Sequence, residues 1–429
     1  MITRQPLTSR FGRVKDITDV AAYEQLQGYE GLNQVLDATE TQNLNTLIEG
    51  ALWSRSGNGT NVAVDCQEVL TNEAETKYII CNADEGEPGT FKDKALLRSD
   101  PLAVIEGMTI AAYLTHAQVG YIYVRGEFRD LILELMQTIE NCRAAHLLGK
   151  SIFDVPGFDF DIKISESAGA YVCQEPAALF NAMSGATGRP GGRVTPTKAG
   201  FYKQPTLVED AETFANLPVL YRLGAKAYQS LGTSESGGTK LVCLTGQVKN
   251  RGLFEVPIGL ELTTILNDPE FGGGSQDGTP FKFIHLGGQS GMILPAENIT
   301  DLIYSPEALQ AEHLTMGTGA IVAATEAVNI LDYLVPVARF FMDESCGKCP
   351  ACRIGTVRIY EALQTLQKQE GVPGDLTRLA HMVDHVASQA SCFVGQVVAN
   401  PIFSAMAAFP EEFKAGVDWQ AEVVKEVPW

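Results

Sequence analysis

No apolar stretch in this chain runs for about 18 residues without a charge, the length a bilayer-crossing helix needs. The longest candidate, GAIVAATEAVNILDYLVPVARFF, is interrupted by Glu326, Asp332 and Arg339. No direct membrane insertion is therefore expected. The first residues, MITRQPLTSRFGRVKD, are charged and have no apolar core, so no secretory signal is expected either. Positive charge is in short supply. The chain has 32 Lys and Arg against 52 Asp and Glu, a formal net charge of -20. That balance argues against nucleic acid and anionic membrane surfaces as partners. A disulfide framework is missing too. Cys66, Cys81, Cys142, Cys173 and Cys243 stand singly among apolar residues and read as buried free thiols, which points to a reducing compartment. The expected location is cytoplasmic, with a peripheral place on a membrane complex left open. No internal repeat, low-complexity segment or Ser-His-acid nucleophile signature is present.

What is present reads as an α/β chain of several domains. KYIICNAD (77–84), VGYIYVRGE (119–127) and FDFDIKISES (158–167) have strand character. Between them lie DPLAVIEGMTIAAYLTHA (100–117), with Asp100 as N-cap and Pro101 at the first helical position, and a helical stretch over 129–147. The alternation predicts a parallel sheet covered by helices, with ligands at the carboxyl ends of the strands. Residues 185–204, rich in Gly, Pro, Thr and Arg, read as a long functional loop. From about 236 to 320 short strands around a Lys249-Asn250-Arg251-Gly252 turn, followed by FKFIHLGG, predict a small β-rich domain. Beyond 320 apolar residues recur at helical spacing.

Within that last region lies ESCGKCPACRIGT, with Cys346, Cys349 and Cys352, followed much later by Cys392 in SCFVG. A tight triplet plus one remote cysteine is a common way for a chain to hold a cubane [4Fe–4S] cluster through four thiolates. The rivals are free core thiols and a zinc ion, although zinc sites usually come as two C-x2-C pairs. A second signal is NADEGEPGTFKDK (82–94). A strand delivers Asn82, Asp84 and Glu85 to a turn at Glu87-Pro88-Gly89-Thr90. Carboxylates and an amide at a strand end suit ligand hydroxyls and ring N–H groups rather than phosphate. The alternative is an acidic surface turn.

These segments, with LTSRF, YEGL, VRGEF, AGAYVCQEPAAL, GQVKNRGLFEVPIG and MGTGAIV, resemble the NADH-binding flavoprotein subunit of respiratory complex I and its relatives in NAD-linked hydrogenases and formate dehydrogenases. The resemblance covers nearly the whole chain. It implies a lead-in over 1–45, a Rossmann-like FMN/NADH-type domain over 46–235, a ubiquitin-like β-grasp domain over 236–320, and a C-terminal helical bundle over 321–429 carrying one iron–sulfur cluster. Cys346, Cys349, Cys352 and Cys392 match the family's cluster ligands. Asn82, Asp84, Glu85, Gly57, Gly59 and Glu175 match positions around FMN and NADH. The family passes hydride from NADH to FMN and single electrons onward through the cluster, among other iron–sulfur and flavin subunits of a larger assembly.

The chain departs from the family around the flavin. The glycine-rich loop, roughly G-R-G-G-A-G-F-P-T-G-L-K-W, is here Ser54-Arg55-Ser56-Gly57-Asn58-Gly59-Thr60-Asn61-Val62-Ala63-Val64-Asp65-Cys66. An aromatic has become Thr60 and a lysine Asp65. G-E-E-T-A-L is here Gln174-Glu175-Pro176-Ala177-Ala178-Leu179, an Asn-Asn pair is Glu209-Asp210, and the K-P-P-F-P loop has no clear counterpart in GRPGGRVTPTKAG. The exchanges of Asp65, Glu209 and Asp210 make the site about four charges more negative, where one unit pair is worth roughly 4 kcal/mol at an effective dielectric near 20. Arg55, Arg189, Arg193, Lys198 and Lys203 could offset part of this. The expected function is an iron–sulfur electron-transfer subunit whose FMN and NAD(H) sites are lost. The alternative is an active FMN-dependent NADH:acceptor oxidoreductase subunit with a rebuilt pocket. His381 and His385, at i and i+4, lack the glutamate of a zinc protease and read as surface or cluster-flanking residues, and GGGSQDG (272–278) as a flexible turn.

Overall fold

The structure, a computed structural model, describes residues 5–57 and 59–420. Four parallel strands, Tyr78–Ala83 (β1), Val119–Arg125 (β2), Asp161–Ser167 (β3) and Thr206–Glu209 (β4), form a sheet in the order β3-β2-β1-β4. The chain moves outward from β1 through β2 to β3, then returns to the other side of β1. The direction of travel reverses between β1 and β4, and on such sheets the crevice for a ligand lies at that switch point, beyond the strands' carboxyl ends. β4 has no counterpart in the sequence reading, because four residues are too few to show a period.

The helix Pro101–Thr115 is apolar on nearly all sides and is buried accordingly. It packs against the helix Ala211–Leu223 so closely that a Cβ on Gly107 would lie 1.9 Å from the Phe214 carbonyl oxygen. Asp100 holds the N-cap position, but its carboxylate makes no cap bond. It takes the Arg10 guanidinium at 2.6 Å instead, a buried pair that outcompetes a local cap. Glu106, inside the same helix, accepts from the Tyr23 hydroxyl and from the backbone N–H groups of Tyr29 and Leu32. The segment before residue 45 is thereby part of the first core, not an appendage to it.

The second sheet holds Thr239–Gly246 (β5), Gly252–Pro257 (β6), Phe281–Leu286 (β8), Met292–Pro295 (β9) and Ala320–Thr325 (β11), in the order β6-β5-β11-β8-β9. Leu260–Glu261 (β7) and Ile303–Tyr304 (β10) make a small ladder beside it. β11 lies at the centre, parallel to β5 and antiparallel to β8. This corrects two expectations. Helical spacing does not begin at 320, and the division at 320/321 falls at the start of the sheet's central strand. Ala320–Thr325 is a short apolar run, and periodicity cannot separate a fully buried strand from a helical turn. Helices follow from Ile330, chiefly Ile330–Asp343, Pro350–Gln367, Asp375–Gln389 and Ala399–Ala408, around a third apolar core. The architecture is the mixed α/β, β-grasp and helical-bundle arrangement expected. No helix among the described residues is long and apolar enough to cross a membrane.

Candidate functional site

Two places collect the residues nominated by the sequence: the crevice between β1 and β4, and a corner of the helical bundle. In the crevice, Asn82, Asp84 and Glu85 leave the end of β1 as expected. The Asn82 amide donates to the Cys173 carbonyl at 3.4 Å and to the Gln174 side-chain oxygen at 3.3 Å. The Gln174 amide then donates to the Asp84 carbonyl at 2.5 Å. Gln174 stands where the family pattern has glycine. Its side chain thus spans the crevice and occupies two of the groups that would face a ligand. Asp84 is buried and accepts from the Ser167 hydroxyl, while its other carboxylate oxygen has no hydrogen-bond partner and lies 3.8 Å from the Arg125 guanidinium. Burial pushes its carboxyl up to about 6 against the opposing pull of Ser167 and Arg125. Glu85 turns away from the opening and accepts from the N–H groups of Asp93 and Lys94, at the start of the helix Lys92–Ser99.

Gly57 and Gly59 both have positive φ, but no phosphate is needed to explain Gly57. A Cβ there would come within 2.7 Å of the Gly317 backbone, so close approach of the second sheet's loop demands glycine. Gly59 faces open space. Glu175 is half-buried at the N-cap position of the helix Pro176–Met183 and makes no side-chain cap bond.

Two of the acidic exchanges, Glu209 and Asp210, are absorbed by the fold. Glu209 is buried, accepts from the Ser54 hydroxyl, and is held well above the ordinary carboxylate range by burial and then by Asp210 and Asp65. Asp210 caps the helix Ala211–Leu223 through Thr213 and takes the Lys92 ammonium at 2.5 Å. Burial pushes its carboxyl up, yet Lys92 and Lys240 outweigh that and hold it low. Lys92 also pairs with Asp93 and Glu212, and Lys240 pairs with Glu212 and donates to the carbonyls of Arg55 and Thr318. The sequence count of added charge overstates the effect, because Asp210 is neutralised in place and burial favours a neutral Glu209. Lys92, Lys240 and Glu212 were missed by sequence reading. Their only signal is spatial, since they lie far apart along the chain. Arg55 offers no compensation to a phosphate. Its guanidinium donates to the carbonyls of Thr239, Trp53 and Gly237.

The cysteine corner is arranged differently. Cys349 sits at the N-cap position of the helix Pro350–Gln367, Cys352 in its first turn, and Cys346 in the preceding loop, where Gly347 takes a positive φ. Cys392 precedes the short helix Phe393–Gln396. Cys352 and Cys392 are 5 % and 9 % exposed, while Cys346 and Cys349 are half-buried. Burial opposes ionisation of Cys349, but N–H groups of Ser391 and Cys352 point at its sulfur and bring the thiol below its ordinary value. Burial pushes Cys352 up to about 11, with the neighbouring thiols Cys349, Cys392 and Cys346 adding to the rise. The four sulfurs are therefore close enough to feel one another's charge. The Ser345 hydroxyl lies 3.2 Å from the Cys352 sulfur. Gly395 matters at this place: a Cβ there would press within 2.4 Å of the Ala390 Cβ and 3.3 Å of the Cys352 sulfur.

No set of three or more His, Cys, Asp or Glu side chains among the described residues surrounds a single metal ion. A cubane spreads its thiolates around a cluster rather than one ion, so this is compatible with the donor set. Four thiols, backbone hydrogen bonds to the Cys349 sulfur and a glycine that leaves room beside Cys352 fit a [4Fe–4S] cluster. Tyr171, packed against Phe340 and Phe393, links the two places, since its hydroxyl reaches buried Glu87 in the turn after β1. His381 and His385 are exposed on their helix, as expected.

Residues 51–219 match the family described as Nuo51 FMN-binding domain, and residues 332–416 match the NADH-ubiquinone oxidoreductase-F iron-sulfur binding region. The chain is 40 % identical over 408 residues to the HndC subunit of the NADP-reducing hydrogenase of Solidesulfovibrio fructosivorans, covering 94 % of this chain and 81 % of that protein. It is 33 % identical to the F subunit of NADH-quinone oxidoreductase of Escherichia coli, covering 96 % of this chain and 93 % of the relative. Among solved structures, the crystal structure of NAD+-reducing [NiFe]-hydrogenase in the H2-reduced state superposes with a TM-score of 0.81 at 29 % identity. That match covers 90 % of this chain and 64 % of the other, so this chain spans less than two thirds of it. By fold and by sequence, the chain belongs to the family of the NADH-quinone oxidoreductase F subunit.

Proposed function

We propose that the chain is an iron–sulfur electron-transfer subunit of a larger redox assembly, with Cys346, Cys349, Cys352 and Cys392 as the ligands of one [4Fe–4S] cluster and with FMN and NAD(H) no longer bound. Such a cluster would take up and release one electron at a time. The protein's part is to hold four thiolates, favour ionisation of Cys349 through backbone hydrogen bonds from Ser391 and Cys352, and keep the sulfurs of Cys352 and Cys392 buried. The observation that carries the loss of FMN is Gln174, which joins the Asn82 side chain to the Asp84 carbonyl across the crevice. A flavin would have to displace it. The partners on this reading are other iron–sulfur or flavin redox subunits.

A specific observation favours a second reading, an active FMN-dependent NADH oxidoreductase. One carboxylate oxygen of Asp84 is buried without a hydrogen-bond partner, and a ring N–H of a bound flavin could supply one. Cofactor analysis of the anaerobically purified full-length chain separates the two. The first reading expects about four iron atoms per chain and no flavin released on denaturation. Stoichiometric flavin, or bleaching of a flavin band on addition of NADH, overturns it in favour of the second. A colourless, iron-free protein overturns both.

A further inference from the structure

Acidic residues dominate this chain, yet two segments contain none. Residues 176–208 carry Arg189, Arg193, Lys198 and Lys203 with no Asp or Glu, and residues 345–360, which include the cysteine triplet, carry Lys348, Arg353 and Arg358 with no Asp or Glu. The fold brings the two together. The Lys348 ammonium donates to the Pro190 carbonyl, and the Asn181 amide donates to the Arg189 carbonyl at 2.9 Å, which fixes the same turn from its other side. Arg189, Arg193, Lys348 and Arg353 are all exposed. Among the described residues none of these four is in a salt bridge, whereas nearby Arg339 and Arg358 are paired with Asp343 and Glu361. Glu344, just ahead of the motif, accepts the Tyr171 N–H.

This basic corner coincides with the open side of the cysteine set. Cys346 and Cys349 are the half-exposed thiols, and Lys348 stands between them. Ile354, one residue beyond Arg353, is 57 % exposed. An exposed apolar residue in a charged rim, two residues after Cys352, has the anatomy of a transient protein contact. Unpaired cations held together on a molecule of net charge -20 repel one another, and an acidic surface relieves that repulsion while steering encounter.

We propose that this corner docks the acidic face of a one-electron carrier protein over the Cys346–Cys349 edge. The proposal rests on the iron–sulfur reading above. One electron passes between the cluster and the carrier's redox centre, one side being oxidised as the other is reduced, and no bond or proton moves with it.

The test uses the full-length, cluster-loaded chain, an acidic plant-type [2Fe–2S] ferredoxin as probe, and isothermal titration at low and high salt. The wild-type chain is expected to bind with an affinity that falls steeply with salt. The double variant R189E/R193E is expected to bind about tenfold more weakly at low salt, with a flatter salt dependence and an unchanged cluster EPR spectrum. R189Q/R193Q removes charge without adding repulsion and is expected to fall between the two, which covers the event that charge reversal harms folding. No binding by the wild-type chain, or equal affinity in all three proteins with the EPR spectrum intact, overturns the docking proposal alone. Displacement of ferredoxin by 2′-phospho-AMP also overturns it, since the corner would then be a nucleotide-phosphate site. Absence of a cluster EPR signal from the dithionite-reduced wild-type chain, together with absence of iron, overturns the iron–sulfur reading beneath it.

Discussion

The crevice and the cysteine corner are assembled from similar parts. Each lies beside a helix N-terminus, each uses a glycine where a neighbour comes too close for a side chain, and each buries groups that are costly to bury. They differ in what those groups face. In the crevice most donors and acceptors answer one another, Gln174 with Asn82 and Asp84, Ser54 with one oxygen of Glu209, Lys92 with Asp210, and one oxygen each of Asp84 and Glu209 is left without a hydrogen-bond partner. In the corner, N–H groups of Ser391 and Cys352 point at a sulfur, and two thiols stay half-buried. A site is ready for a ligand when its polar groups are held in place but not satisfied by each other. Satisfied groups make a stable interior, and a ligand must break those bonds before it makes its own.

The comparison breaks most completely at the corner. Cys392→Ala removes one of the four thiolates, and the purified protein is expected to lose nearly all its iron. Unchanged iron content would show that the ligand assignment is wrong. In the crevice the largest effect should be on folding. Lys92→Met leaves Asp210, Asp93 and Glu212 facing one another without their shared cation, at a cost of about 3–5 kcal/mol in chemical denaturation. If Lys92→Met is neutral, the network is not what holds this region.

Asp84 gives a pH-dependent test. Its carboxyl is raised from 3.8 to about 6 in the folded chain. The native state keeps a proton there that the unfolded chain releases, so stability falls as pH rises from about 4 to about 6 and stays lower above that. Asp84→Asn is expected to flatten this slope and to raise stability at pH 7 by about 3 kcal/mol. A steeper slope in the variant would mean that Arg125 and Ser167 outweigh burial. The smallest change is Gln174→Gly, which frees the Asn82 amide and the Asp84 carbonyl. FMN binding, followed by flavin fluorescence quenching, should strengthen by about tenfold, roughly 1.4 kcal/mol. Tight binding by the wild-type chain, unaltered in Gln174→Gly, would remove Gln174 from the explanation.

The cysteines proposed as cluster ligands stand out early because they are a local pattern. Three cysteines at two-residue gaps need no knowledge of the fold, and only Cys392 had to be brought in from a distance. The parallel strands and their helices were legible from periodicity and from Pro101 at a helix start. β4 was too short to register, and β11 was read as helical because a buried apolar run carries no period of its own. The crevice was legible only as a set of departures. Counting charge along the chain made Glu209 and Asp210 a block of negative potential, whereas Lys92 neutralises one and burial raises the carboxyl of the other well above its ordinary range.

By itself the sequence determined composition, order and local chemistry: an acidic α/β chain, a turn of carboxylates after a strand, four cysteines at fixed spacing. Tertiary structure alone decided which of those groups meet. Lys92, Asp210, Glu212 and Lys240 become one network, Gln174 becomes a bridge, and Arg189 comes to lie beside the cysteine loop through Pro190 and Lys348. Spacing along the chain fixes what a residue can do with its near neighbours, but burial and pairing depend on residues brought together from 28 to 158 positions away, and those set whether a charge is free to meet a ligand.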